Sequence, residues 1–252
     1  MSENLGDILQ NFDPISLKEM DGVKLLKRTD TKYLLSLTEL KAILPQLLDD
    51  YKVLEIGEQR ISSYQTTYLD TEEKTYFHQH HQGRYKRHKV RFRSYKDSGA
   101  TYLEVKLKQK GQTNKKRISV DKDDDFSTEE KAFLKKWIPE HHSELKHSLK
   151  NKFQRITLVN KNLPERLTID LNLSFEYNNK EISLSDHVVL ELKQEKFNRK
   201  SFILTLLRSK GLRPIRVSKY CMGLLLLEDN LKYNRFKSRL LQLNKIRKVW
   251  NF

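Results

Sequence analysis

The sequence predicts an α+β domain built on a largely antiparallel sheet. Three observations predict it. Short runs alternate aliphatic and charged residues, turn signals separate them, and capped amphipathic stretches come in groups instead of after every strand. No Pro/Ser/Gly-rich linker, internal repeat or low-complexity tract divides the 252 residues, so a single domain over 1–252 is expected.

The elements follow in order. Residues 14–28 read as a short helix broken near Gly22, and "TKYLL" (31–35) reads as a strand. "SLTELKAILPQLLDDY" opens with Ser36 and Glu39 at capping-box spacing and continues as an amphipathic helix despite Pro45. "SSYQTTYLD" (62–70) is rich in β-branched and aromatic residues, which suit a strand. "TYFHQHHQGRY" turns at Gly83, with loop-like flanks around "HQHH", whose spacing fits no common zinc pattern. Strands at 86–95, 101–109 and 114–121, joined by the turns "KDSG" and "KGQT", form a meander. Ser127 and Glu130 cap a helix over 127–138, and a helical stretch over 140–150 follows. Strands are expected at 153–160, 166–176 and 187–195, then a helix over 198–211 ended by Gly211, a helix over 218–228 and a basic helix at about 231–248.

Composition narrows the function. Lys and Arg number 49 against 33 Asp and Glu, a net charge of +16, which points to a polyanionic partner: nucleic acid, phosphorylated metabolite, polyphosphate or anionic membrane. The lone Cys221 excludes an internal disulfide or a Cys-based zinc site and reads as a small buried hydrophobe. The N-terminus lacks a signal-peptide pattern and no apolar run approaches a membrane span, so a cytoplasmic protein is expected. No Walker A, Rossmann or RRM signature occurs, and DNA is not an expected partner. The "DKDDD" run (121–125) lacks EF-hand spacing and reads as a solvated acidic turn.

The strands carry the sharper signal. Lys89, Arg91 and Arg93 alternate with Val90, Phe92 and Ser94. Glu104, Lys106 and Lys108 lie opposite Leu103, Val105 and Leu107; Lys115 and Arg117 lie opposite Lys116 and Ile118. Arg166, Thr168 and Asp170 oppose Leu167, Ile169 and Leu171, while Glu191 and Lys193 oppose Leu190 and Leu192. A solvated sheet face alternates too. It does not gather like charges on adjacent strands, because these repel. Closed into a barrel, the charged faces would line a tunnel without exposed sheet edges. Arginine forks and lysine point charges suit a row of phosphates there.

The run Tyr68–Asp70, Tyr76, His80, Gly83, Arg87-x-Lys89-x-Arg91-x-Arg93, followed by "EVKLK", resembles the VTC-domain polyphosphate polymerases of the triphosphate tunnel metalloenzyme, or CYTH-like, superfamily. The likeness runs from "RTDTKYLL" to "RVSKYCMG". It implies an antiparallel eight-stranded tunnel barrel with helices packed outside. It also implies transfer of the ATP γ-phosphate to a growing polyphosphate chain, with Mn²⁺ or Mg²⁺ as cofactor. By the same resemblance Lys32 is the first tunnel lysine and Arg91 and Arg93 are the paired phosphate-gripping arginines. Lys106 and Lys115 are further tunnel lysines, with Lys116 and Arg117 competing for the second place. Arg155 and Arg166 belong to the second half, Glu191 is the metal-binding glutamate and Lys219 the last tunnel lysine. Arg91, Arg93, Lys106, Arg166 and Lys219 are the expected catalytic set; Lys89, Arg117 and Lys193 join the substrate-binding set, and Glu104 or Asp170 would assist Glu191.

There are departures. Many superfamily hydrolases open with ExExK, where this chain has Arg28, Asp30 and Lys32, and fewer carboxylates favour transfer along a chain over hydrolysis. The SPX domain and membrane helices of fungal relatives are missing, so membrane translocation would need a partner protein, with this chain peripheral to the membrane. The competing readings are a tunnel hydrolase of triphosphate, nucleoside triphosphate or an RNA 5′ end, and a non-enzymatic polyanion binder. The basic segment after Asn230 reads either as a helix packed on the barrel or as a docking helix for an anionic surface or acidic partner.

Overall fold

The computed structural model describes residues 4–21, 29–109, 112–121 and 126–250. In chain order the elements are α1 (Leu5–Gln10), β1 (Pro14–Ile15), α2 (Leu17–Asp21), β2 (Thr29–Ser36), α3 (Leu37–Ile43), β3 (Tyr51–Leu54), β4 (Ser62–Asp70), α4 (Thr75–Gln82), β5 (Arg87–Tyr95), β6 (Thr101–Gln109) and β7 (Gln112–Val120). There follow α5 (Thr128–Trp137), β8 (Lys146–Asn160), β9 (Glu165–Tyr177), β10 (Lys180–Leu184), β11 (His187–Gln194), α6 (Phe202–Ser209), α7 (Lys219–Leu227) and α8 (Lys237–Ile246).

Eight strands form one antiparallel path, β2-β11-β9-β8-β4-β5-β6-β7. The sheet curls strongly: the charges of Lys32 on β2 and Lys89 on β5 act on each other although the strands are five places apart. The ladder does not close, which corrects the expected loss of exposed edges; β2 and β7 are unpaired with each other among the described residues. The reason lies in β7. Residues 112–117 of this edge strand are exposed, and Lys115, Lys116 and Arg117 make it a poor template for a further strand. The free edge of β2 is instead met by the segment before α7, where the Ile215 N–H donates to the Lys32 carbonyl at 2.8 Å.

The outer face is aliphatic and covered by helices. α3 and α6 bury Leu40, Ile43, Leu204 and Leu207 against Leu35, Leu167, Ile169, Leu190 and Leu192. α5 places Leu134 over Val90, Phe92, Leu103 and Val105. α7 does something further: it lies along the same face as the cations and fills one end of the curl. Gly223 allows this approach, since a Cβ there would come within 2.4 Å of Phe175 and 2.6 Å of Leu149.

Several expectations are revised. α3 carries the full Ser36–Glu39 capping box but ends at Ile43, and Pro45 sits in a single 3-10 turn over Leu44–Leu47. The predicted helix over 140–150 is strand from Lys146 onward, because its residues pair with both β4 and β9. The stretch "TYFHQHHQ" is not loop-like: it is α4, ended by Gly83 at φ 70°. β10 had gone unread, although Asn178 and Asn179, both at positive φ (47° and 60°), make the two-residue hairpin turn before it. α1 and β3 were also unread. The break near Gly22, Arg28 and the acidic run after Asp121 lie outside the described residues. α8 packs, as one of its two readings required: Leu240 and Leu243 are buried with Phe77 and Leu34, and the Leu243 carbonyl lies 3.0 Å from His187 Nε2. No helix among the described residues is long and apolar enough to cross a membrane.

Candidate functional site

On the inner face of the curl the carboxylates Glu104, Asp170 and Glu191 are each gripped by two cations. On β6, Glu104 is fully buried; Arg91 of β5 donates through Nε at 3.0 Å and its Nη2 lies 2.8 Å away, while Lys115 of β7 pairs with the other oxygen. On β9, Asp170 takes Arg155 of β8 through Nε at 2.6 Å and Nη2 at 2.9 Å, and Lys219 at the start of α7 completes the pair. On β11, Glu191 lies between Lys32 of β2 and Lys193 of its own strand, with Lys193 also donating to Thr168 at 2.7 Å. Register accounts for these groupings, because Arg91 faces Glu104, Arg155 faces Asp170 and Lys32 faces Glu191 across adjacent strands.

The electrostatics follow from this packing. Burial pushes the Glu104 carboxyl up, but the Arg91 and Lys115 charges outweigh it and hold it at about 2. Asp170 and Glu191 are likewise raised by burial and driven well below the usual range by their paired cations. Among the described residues Arg93, Lys106 and Lys89 have no such carboxylate. Arg93 stacks on Tyr64 and Tyr95, its guanidinium carbon 4.8 and 5.3 Å from the ring centroids, and its Nε is buried without a hydrogen bond. Lys106 has its ammonium form disfavoured first by Arg91 and then by burial. Lys89 donates to Ser218 at 3.1 Å and is lowered to about 8 by burial, as is Lys193.

Of the residues singled out in the sequence, the structure thus gathers Lys32, Lys89, Arg91, Arg93, Lys106, Lys115, Arg155, Glu191, Lys193 and Lys219. Arg166 faces Lys193 across β9 and β11 and is half-buried. Arg117 stays exposed and stacks on Tyr102, 4.4 Å from its centroid. Glu104 serves as counter-ion to Arg91 and Lys115, and Asp170, diagonal to Glu191 across β9 and β11, serves Arg155 and Lys219; among the described residues no three His, Cys, Asp or Glu side chains form a metal set. Nor do the histidines of α4 form one; burial holds His80 neutral with a pKa of about 2, and Lys89 and Arg87 add to this. Tyr64 was missed. Its ring lies between Arg93 and Arg155, the latter 5.3 Å away, and only its place on the inner face of β4 could have marked it.

A sequence model of the VTC domain matches residues 27–228. The chain belongs to the VTC domain family. This VTC domain shares its fold with a candidate adenylate cyclase of Bacillus halodurans, at 15% identity and TM-score 0.50, over 83% of this chain and 97% of that one. It is similar to the same degree, TM-score 0.50 at 12% identity over 79% and 95% of the two chains, to the candidate adenylyl cyclase HpAC1 of Hippeastrum, which is described as having a dominant triphosphatase activity. No curated protein matches the sequence.

Proposed function

We propose that this VTC domain is a polyphosphate polymerase, a phosphotransferase that moves the γ-phosphate of ATP onto a growing polyphosphate chain inside the curled sheet. The observation that carries this reading is the surplus of half-buried cations, Arg93 and Lys106 above all, beside three carboxylates that are each shared by two others. An entering row of phosphates relieves that repulsion. It also takes over cations that the carboxylates hold in its absence.

Phosphoryl transfer asks for positioning and charge neutralisation and little covalent chemistry from the protein. Arg91 and Arg93 offer forked donors to phosphate oxygens, while Lys89, Lys106 and Lys115 act as point charges. Arg155, Arg166 and Lys219 hold the other side of the row. A terminal oxygen of the chain attacks the γ-phosphorus, that new P–O bond forms as the bond to the β-phosphate oxygen breaks, and ADP leaves with the electron pair. The buried Cys221 takes no part.

Mn²⁺ or Mg²⁺ fits here only with substrate. Glu191, and Asp30 diagonal to it on the β2–β11 pair, offer hard oxygens, and phosphate oxygens would complete the shell. Held there, such an ion would supply Lewis-acid charge to offset the negative charge that builds on the phosphates during transfer. On this reading the domain works in the cytoplasm at a membrane surface, where a translocating partner receives the product. Incubation with ATP and Mn²⁺ tests the proposal. Long chains support it, free phosphate alone indicates a hydrolase, and neither product indicates a polyanion binder.

A further inference from the structure

The cations do not stop at the inner face. From Lys196 to Phe252 the chain carries only two acidic residues, Glu228 and Asp229. The segment before α7 runs along the free edge of β2, bonded to Lys32, so Arg216 emerges at the open seam. Ser218, two residues on, accepts from the tunnel cation Lys89. Arg216, Ser218 and Arg239 of α8 line one shared crevice. Arg239 in turn donates to the Arg235 carbonyl at 2.6 Å, and Arg235 donates to the Gln82 carbonyl at the end of α4. Arg216 and Arg235 are exposed and Arg239 half-buried, and none of the three forms an ion pair among the described residues. Burial disfavours the charge on Arg239, and Arg216 adds to this. Arg239 also stacks on Phe236, 4.9 Å from its centroid, but this stacking and the two carbonyl bonds leave each guanidinium without a counter-charge, and adjacent guanidinium groups repel. The matched VTC region ends at residue 228, so Arg235 and Arg239 lie beyond it.

We propose that Arg216, Arg239 and Arg235 form a second anion site, a surface track that holds the part of a linear polyphosphate chain lying outside the seam between β2 and β7. The proposal rests on the polyphosphate reading above. Tripolyphosphate is short enough for the tunnel cations alone, whereas a long chain reaches both sites. The track therefore adds affinity for long chains only.

The experiment uses the full chain and two probes, tripolyphosphate and long-chain inorganic polyphosphate, across a salt series. The Arg235→Gln/Arg239→Gln variant is expected to bind long chains about tenfold more weakly, with the log–log salt slope reduced by about 1.4, or about 0.7 per lost contact. Its tripolyphosphate affinity stays at the wild-type value. Arg235→Lys/Arg239→Lys restores long-chain binding, which a purely structural role for the arginine hydrogen bonds would not allow. Lys131→Gln/Lys135→Gln on α5 controls for net charge. The track is overturned if long-chain affinity falls no further than in this control, if tripolyphosphate affinity falls equally, or if only binding to phosphatidylserine vesicles is lost. If the wild type binds tripolyphosphate but gains nothing from a longer chain, the track alone fails. If it binds neither probe, the polyphosphate reading fails with it.

Discussion

The two walls of the curled sheet differ in charge balance. The β5–β6–β7 wall sets Lys89, Arg91, Arg93, Lys106 and Lys115 around one carboxylate, Glu104. The β8–β9–β11–β2 wall supplies Asp170 and Glu191, and each is shared by two cations, with Lys219 brought in by α7. A wall in which each carboxylate sits between two cations is the more stable without ligand. A surplus wall stores repulsion that only an anion relieves. The first wall is therefore built for binding at the expense of stability, and the second holds the arrangement in place.

Removing Glu104 should break this contrast most severely. Glu104→Gln leaves Arg91 and Lys115 without their shared counter-ion, and loss of a buried partner costs on the order of 3–4 kcal/mol. Chemical denaturation should show that loss without ligand, and tripolyphosphate should recover more stability in the variant than in the wild type. A variant as stable as wild type would mean that the wall is not overcharged.

Glu191→Gln sharpens the contrast from the other side. It leaves the surplus wall intact, so tripolyphosphate still binds by calorimetry, while Mn²⁺-dependent turnover should fall by about 10²-fold or more, the scale of losing one transition-state charge contact. Undiminished turnover would remove Glu191 from the metal site.

Arg93→Gln takes a cation that no carboxylate holds. Stability without ligand should stay level or rise. Affinity for tripolyphosphate should drop by on the order of 2 kcal/mol, about thirtyfold, as for one charge-assisted contact. A thermal shift downward with unchanged binding would reverse the assignment of that wall.

The smallest effect is in pH. Lys89 and Lys193, lowered by burial to about 8, lose their protons in the folded state while the unfolded chain keeps its own up to the ordinary lysine value of 10.5. The unfolded state then binds more protons, so stability rises as pH goes from about 7 to about 9. Anion affinity falls over the same range. Without ligand the melting temperature should rise over this range and the extra stabilisation by tripolyphosphate should shrink, and an unchanged gap between the two curves would show that these lysines do not serve the ligand.

Much of the sheet was legible because its signal is local. In β5 and β6 the apolar Val90, Phe92, Leu103, Val105 and Leu107 alternate with charged residues, and the turn between the strands is marked by Gly99 at φ 71° and its polar neighbours. Alternation alone assigned Lys89, Arg91, Arg93, Lys106, Glu191 and Lys193 to one face. The first turns of α3 and α5 were equally readable from Ser36 and Ser127, whose hydroxyls accept from the backbone of Glu39 and Glu130. The start of β8 was not. Its polar residues 146–152 have no strong preference, and they become strand because β4 and β9 supply the partners.

The sequence by itself determined which residues face inward and that cations dominate there, since the direction of a side chain along a strand follows from backbone dihedrals residue by residue. Only the tertiary structure decided which carboxylate neutralises which cations, that the edges of β2 and β7 stay apart, and that α7 delivers Lys219 and Ser218 to the same interior. Those outcomes depend on register between strands remote in sequence and on which surfaces are left to cover an edge. Interaction energy between charges falls with distance through space, and separation along the chain does not fix that distance.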